Sequence, residues 1–167
     1  MKIRRATADD CAGIAAVQAK SYRTACDGIC PAEHLEAPSI KEQTENWRVW
    51  MSEHPADILY VAEDASGTVG YALARPGGGE LPEYDSELIA LHVNPHAHRI
   101  GTGRHMVTAV VRELRIAGCR SMMLWTPEAN PSRGFYERLG AALLAERRES
   151  EGHPPEVAYG WPDIAHI

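Results

Sequence analysis

The sequence predicts an α/β fold, a mixed sheet with helices packed against it. Three observations point there. Short apolar runs that read as strands alternate with longer segments of helical period, in the order β-α-α-β-β-β-α-β-α-β-β. One apolar strand, "ELIALHV", leads through a glycine-bearing loop directly into an amphipathic helix. The 167 residues carry no internal repeat and no low-complexity stretch, so a single domain spanning 1–167 with a sizeable core accounts for the length.

The elements follow in turn. The stretch that begins "IRRATADD" reads as a short strand followed by a helix. Thr7 and Asp10 stand at capping-box spacing and open a helix whose stripe is Ile14, Val17 and Tyr22, interrupted by Gly28 and Pro31. A second box, Ser39 with Glu42, opens a helix with Trp47, Trp50 and Met51 on one side. Ile58 to Pro76 reads as a hairpin turning at "ASG". "GGGELPEYDS" is an acidic connection, and "ELIALHV" is apolar enough for a strand covered on both faces. From Gly103 the residues Met106, Val107, Val110, Val111 and Leu114 form a helical face that Gly118 ends. "SMMLWT" is a buried strand, Pro131 to Leu139 a helix, and "AALLAER" and "VAYGW" are the last two strands.

Composition narrows the function. Hydrophobic residues make up 44% and charged residues 24%, the balance of a soluble globular chain. No apolar run approaches the ~20 residues that span a bilayer, and "MKIRRATADD" lacks a secretory core, so the chain reads as cytoplasmic with no membrane partner. The net charge of −6 disfavours nucleic acid and suits a cationic small molecule. Cys11, Cys26, Cys30 and Cys119 form no Cys-x-x-Cys pair and read as reduced thiols.

The stretch "HRIGTGRHM" carries chemistry. A helix that starts at a glycine loop points unpaired N–H groups outward, with the positive end of its dipole behind them. Where Cβ atoms are missing, an anion can approach the backbone closely, which suits a pyrophosphate. A tight strand-to-helix turn would have the same look. No G-x-x-x-x-G-K-[ST] is present, and a dinucleotide fingerprint belongs at the first strand, whereas this loop lies past the middle of the chain.

Two blocks resemble the GNAT family of N-acetyltransferases. The family's fourth strand ends in V-x-P, followed by a Q/R-x-x-G-x-G/A loop and a helix. "VNPHAHRIGTG" matches at Val93, Pro95, Gly101 and Gly103, with His98 where the family usually has Gln or Arg. "NPSRGFYERLGA" resembles the family's N-x-x-A-x-x-x-Y-x-x-x-G block at Asn130, Tyr136 and Gly140, with the Asn-to-Tyr spacing one residue shorter than the commonest form. The resemblance implies a mixed, mostly antiparallel sheet flanked by helices on both faces. It also implies acetyl-CoA as cosubstrate, bound by Leu91, Val93, His98, Arg99, Ile100, Gly101, Thr102, Gly103, Arg104, Asn130 and Tyr136. A homodimer is compatible with it.

The chemistry expected is transfer of an acetyl group from a thioester to a primary amine in a ternary complex. An aliphatic amine, with a reference pKa near ~10.4, must lose a proton before attacking. Glu87, heading "ELIALHV", is the expected base; in similar enzymes the tyrosine matching Tyr136 is the general acid. A backbone N–H near Leu91 to Val93, where the family's strand bulges, would polarise the carbonyl. Without the resemblance, Glu87 reads as a solvent-facing strand end and Tyr136 as a core tyrosine.

Other features stay open. His92, His96, His98 and His105 lie close in sequence, but strand alternation followed by a loop would scatter them, so no metal site is expected. Cys26, Cys30 and His34 read as packing. Glu80, Glu83, Asp85 and Glu87 would attract a cationic acceptor or simply form a solvated loop. Trp47 and Trp50 read as core or as walls of the acceptor side. A small-molecule amine is the leading acceptor; a non-catalytic acyl-CoA-binding module and a protein or peptide acetyltransferase are the alternatives.

Overall fold

A computed structural model describes residues 1–26, 39–149 and 154–167. Among them the elements appear in the expected order: β1 (Lys2–Arg5), α1 (Cys11–Cys26), α2 (Ile40–Glu53), β2 (Ile58–Asp64), β3 (Gly67–Pro76), β4 (Ser86–Val93), α3 (Thr102–Ile116), β5 (Met122–Pro127), α4 (Arg133–Arg138), β6 (Ala142–Arg148) and β7 (Glu156–Trp161). The Ser39–Glu42 box forms as read: Ser39 N–H donates to Glu42 Oε2 at 2.8 Å and Glu42 N–H to Ser39 Oγ at 3.2 Å. Such a cap contributes about 1 kcal/mol. The Thr7–Asp10 pair instead leads into a short 3₁₀ turn, Ala8–Asp10, before α1 begins. Its carboxylate takes Thr7 N–H at 2.7 Å and both ends of the Arg4 guanidinium at 2.7 Å.

The strands form one sheet in the order β1-β2-β3-β4-β5-β7-β6, antiparallel everywhere except between β4 and β5. Helices cover both faces. On one, α3 lays Met106, Val107, Val110, Val111 and Leu114 against β2 and β3, each at most 2% exposed. Burying side chains of this size contributes roughly 1.5–3 kcal/mol apiece. On the other face α1 and α2 pack Ile14, Val17 and Trp47 over Leu59, Val61, Tyr71 and Leu73. No helix among the described residues is long and apolar enough to cross a membrane.

Three readings need correction. β4 is not covered on both faces: Ser86 and Leu88 are buried, and every residue from Ile89 to Val93 is only half-buried. The cause is its neighbour, since β4 and β5 pair at the single register Glu87↔Met123 and then separate. The bulge lies at Ile89 rather than at Leu91 to Val93, because Leu73 pairs with Ala90 and Ala74 with Leu88. Helix α4 is also shorter than the expected Pro131 to Leu139. Asn130 Oδ1 accepts Ser132 N–H at 2.8 Å, which holds the first residues in a turn.

Candidate active site

Where β4 and β5 begin, they are stapled. Both Asp85 carboxylate oxygens accept backbone N–H groups, from Ser121 and Arg120, each at 2.9 Å. Ser121 Oγ donates to Asp85 at 3.0 Å, and Ser86 Oγ donates to Ser121 C=O at 2.6 Å. Burial pushes the Asp85 carboxyl up, but the N–H groups of Arg120 and Ser121 outweigh it and hold it below the usual carboxylate range. Beyond this staple the strands diverge and leave the far edge of β4 without a ladder. Asp85, Ser86 and Ser121 were not singled out for this role in the sequence; an Asp-Ser pair before the strand and a Ser opening the next were the available signal.

The open edge carries donors. Asn94 N–H bonds to Val69 C=O on β3 at 2.7 Å. Backbone direction alternates along a strand, so Leu91 and Val93 turn their N–H groups the other way, toward the gap. Val93 C=O is taken by His98, whose Nε2–H donates to it at 2.7 Å and ties the loop back to the strand.

Past His98 the backbone enters the glycine loop. Gly101 adopts φ 90° and Arg99 φ 60°, a left-handed conformation that costs a non-glycine residue free energy and clusters at ligand loops. The first helical bond of α3 closes from His105 N–H to Gly101 C=O at 3.0 Å. The N–H groups of Arg99, Ile100, Gly101, Thr102, Gly103 and Arg104 therefore have no backbone partner among the described residues. Arg99 and Arg104 are exposed and form no ion pair among those residues, and Ile100 is 65% exposed beside them. Thr102 is buried with its hydroxyl unpartnered. Consecutive free amides, two loose cations and a helix N-terminus suit a diphosphate, so the residues present fit the pyrophosphate of coenzyme A.

The second block meets the first in space. A Cβ on Gly103 would stand 3.2 Å from Phe135 Cζ, so the missing side chain lets α4 approach the start of α3. Tyr136 follows, 8% exposed and boxed by Phe135, Tyr159 and Trp161 at centroid distances of 5.4, 6.2 and 6.5 Å. Tyr159 is locked in turn, donating to Glu137 at 2.8 Å and accepting Arg133 Nε–H at 3.0 Å. The Tyr136 hydroxyl bonds to none of the described residues and is not among the sealed-off polar atoms, so it opens onto solvent. Burial pushes the phenol up to about 12, which keeps it protonated at neutral pH. Asn130 is engaged locally, its amide donating to Thr126 Oγ1 at 2.7 Å while its carbonyl accepts Ser132 N–H. One amide hydrogen is left over.

On the α1–α2 side of β4 stands Glu87, half-buried and without a hydrogen bond to the described residues. Burial raises its pKa first and Glu80 adds to that, while Arg148 and Arg75 pull it back. The rest of the acidic stretch is dispersed. Glu80 pairs with Arg148 at 2.5 Å, Asp85 serves the staple, and Glu83 is exposed. Of the two tryptophans, Trp47 belongs to the core, edge-on to Tyr71 at 5.3 Å and donating to Gln18 at 2.8 Å. Trp50 lines a recess of about 270 Å³ with Met51, His54, Leu59 and Leu73.

The histidines go separate ways. His92 stacks on Tyr71 at 5.0 Å and burial pushes its imidazole down to about 4, His96 approaches Asp64 at 3.5 Å, and His105 lies by Gly101. The Cys26–Cys30–His34 spacing falls outside the described side chains; Cys11 and Cys119 are buried free thiols.

A splayed β4–β5 pair with an amide cradle at the start of the following helix marks a class of acyl-transfer folds, and comparison places the chain within it. The model of the acetyltransferase (GNAT) family matches residues 23–141. The uncharacterized N-acetyltransferase YuaI of Bacillus subtilis is 32% identical, over 99% of this chain and 95% of its own. The PaiA N-acetyltransferase of Thermoplasma acidophilum, solved with coenzyme A, superposes with a TM-score of 0.74 at 16% identity, over 95% of this chain and 96% of that one. The yncA structure from Salmonella typhimurium, with its cofactor acetyl-CoA, gives 0.72 at 17% identity, over 100% and 95%. The chain belongs to the GNAT family and is an acetyl-CoA-dependent N-acetyltransferase.

Proposed function

We propose that this enzyme acetylates the primary amine of a small, cationic acceptor in a ternary complex. One observation carries the reading: β4 bears Glu87, a carboxylate without a hydrogen bond to the described residues, and two residues past its bulge an N–H turned to the edge that β5 leaves. Acetyl-CoA supplies the acetyl group as a thioester. The amides of residues 99–104 hold its diphosphate, with Arg99 and Arg104 alongside, and Leu91 and Val93 offer N–H groups to the pantetheine arm and the carbonyl. Donors fixed before the reaction need no reorganisation when charge develops on that oxygen. Glu87, directly or through water, takes the proton of the incoming ammonium. Tyr136 hands its phenolic proton to the departing thiolate. His98 braces the loop through Val93, and Asn130 shapes the turn that presents Tyr136.

The cationic acceptor is supported by the overall negative charge of −6. Thiol release from acetyl-CoA across a panel of amines, polyamines and peptides tests it. Turnover is expected with small amines. In Tyr136→Phe and Glu87→Gln it should fall about 10²–10⁴-fold, while calorimetry shows near-normal coenzyme A affinity. Turnover with peptides alone would move the acceptor class, and none with any amine despite tight coenzyme A binding would favour a binding module.

A further inference from the structure

Glu87 needs help to serve as a base. A half-buried carboxylate with carboxylates nearby tends to keep its proton, and a protonated carboxyl cannot receive another. The charged groups facing it are Glu80 on the β3–β4 connection, Arg148 on β6, Glu156 on β7 and Arg75 on β3. Of the two cations Arg148 pulls harder, but it is shared between the two carboxylates that push the other way. It pairs with Glu80 at 2.5 Å and with Glu156 at 2.7 Å, and its guanidinium lies 4.5 Å over the Trp125 ring. Arg75 is placed differently. It is the cross-strand partner of Glu87, which puts the two side chains on one face of an antiparallel pair with Cβ atoms about 4.5–5.5 Å apart.

Arg75 is also held away from a direct ion pair with Glu87. Its Nε–H and Nη2–H groups donate side-on to the two oxygens of Asp57, each at 3.1 Å, and its guanidinium lies 5.5 Å over the Trp50 ring. The Asp57 carboxylate is 6% exposed and the Arg75 side chain 37%, so the buried partner anchors the exposed one. A guanidinium gripped on two sides acts as a stationary positive charge. Had it swung onto Glu87, it would occupy the lone pairs that must receive the amine's proton.

We propose that Arg75 is a positioning residue for acetyl transfer: tethered by Asp57 and Trp50 across the strand from Glu87, it keeps that carboxylate ionised while leaving its oxygens free. The proposal rests on the reading of Glu87 as base, and two separate measurements keep the two apart. The first is a ¹³C NMR titration of the Glu87 carboxyl carbon in the full chain without ligands, assigned by its loss in Glu87→Gln.

Arg75→Gln is expected to raise the Glu87 midpoint by about one pH unit. Arg75→Lys restores most of it. Asp57→Asn, which removes the counter-charge and keeps the cation, lowers it. The second measurement is the pH profile of kcat/KM with acetyl-CoA and the best amine of the panel, whose acid limb should move in the same directions. A merely structural pair would cost activity evenly across pH in both variants. The proposal is overturned if Arg75→Gln leaves the midpoint in place, or if Arg75→Gln and Asp57→Asn move it the same way. Should Arg75→Gln fail to fold by near-ultraviolet circular dichroism, Asp57→Asn and Arg75→Lys decide the sign. Full turnover in Glu87→Gln would instead remove the base, whatever the titration shows.

Discussion

Gly101 and Gly118 form a natural pair for testing the amide cradle. They share nearly the same φ, 90° and 91°. A Cβ at Gly118 would meet nothing within 4 Å, and the nearest neighbour of one at Gly101 would be the His105 ring, at 3.3 Å, an exposed side chain free to turn away. An L-residue held in this left-handed region costs roughly 1–2 kcal/mol. Gly101→Ala and Gly118→Ala should therefore lose similar stability, which for a domain of this size lowers Tm by about 3–6 °C. Ligand binding should separate them. Relief of strain at Gly101 rotates the amides of Thr102 and Gly103, and a lost charge-assisted hydrogen bond is worth about 1.5–3 kcal/mol. Coenzyme A affinity should fall roughly 10- to 100-fold in Gly101→Ala and stay unchanged in Gly118→Ala. Calorimetric titration beside thermal denaturation of both variants reads the two quantities separately. Equal coenzyme A affinity in the two variants, with both folded, would refute the assignment of the diphosphate to this bend.

Two further outcomes follow from the carboxylates at the start of β4, Asp85 just before it and Glu87 within it. Asp85→Asn gives up charge-assisted bonds to two backbone N–H groups and should cost about 2 kcal/mol at neutral pH. Because the Asp85 pKa is depressed on folding, that stability is present above the unfolded-state value and fades as pH falls through the folded one. Urea melts of wild type and variant should accordingly converge in acid. Glu87 has the opposite sign. Its folded pKa is raised, first by burial, so its contribution is full below the unfolded-state value and lost as pH rises through the folded one. Glu87→Gln should be at least as stable as wild type at pH 7 and lose any advantage near pH 4; a clear loss of stability at pH 7 would show that Glu87 has a structural partner.

Stretches governed by their own neighbours were legible in the sequence. The Ser39–Glu42 box, the hairpin turning at Ser66 and Gly67, and the α3 stripe from Met106 to Leu114 each depend on residues a few positions apart. The glycine loop was legible for the same reason: free amides at a helix start are a local property. The boundary of α4 was missed because Asn130 competes for the Ser132 N–H, a side-chain bond that apolar spacing does not reveal. The composition of "ELIALHV" matches a central strand covered on both faces. Its residues are in fact apolar on both faces beside a neighbour that departs after one register pair.

The order of strands and helices and the amide cradle were thus set by local pattern, where a residue's conformation answers mainly to its near neighbours. The divergence of β4 from β5, the dispersal of the acidic stretch onto Arg148 and Ser121, and the placement of Arg75 opposite Glu87 came only with the tertiary structure. Each depends on strand register and on partners far away along the chain, such as Asp57 for Arg75 and Ser121 for Asp85. Which of several carboxylates stays unpaired is a competition among distant cations, decided only once packing has put them within reach.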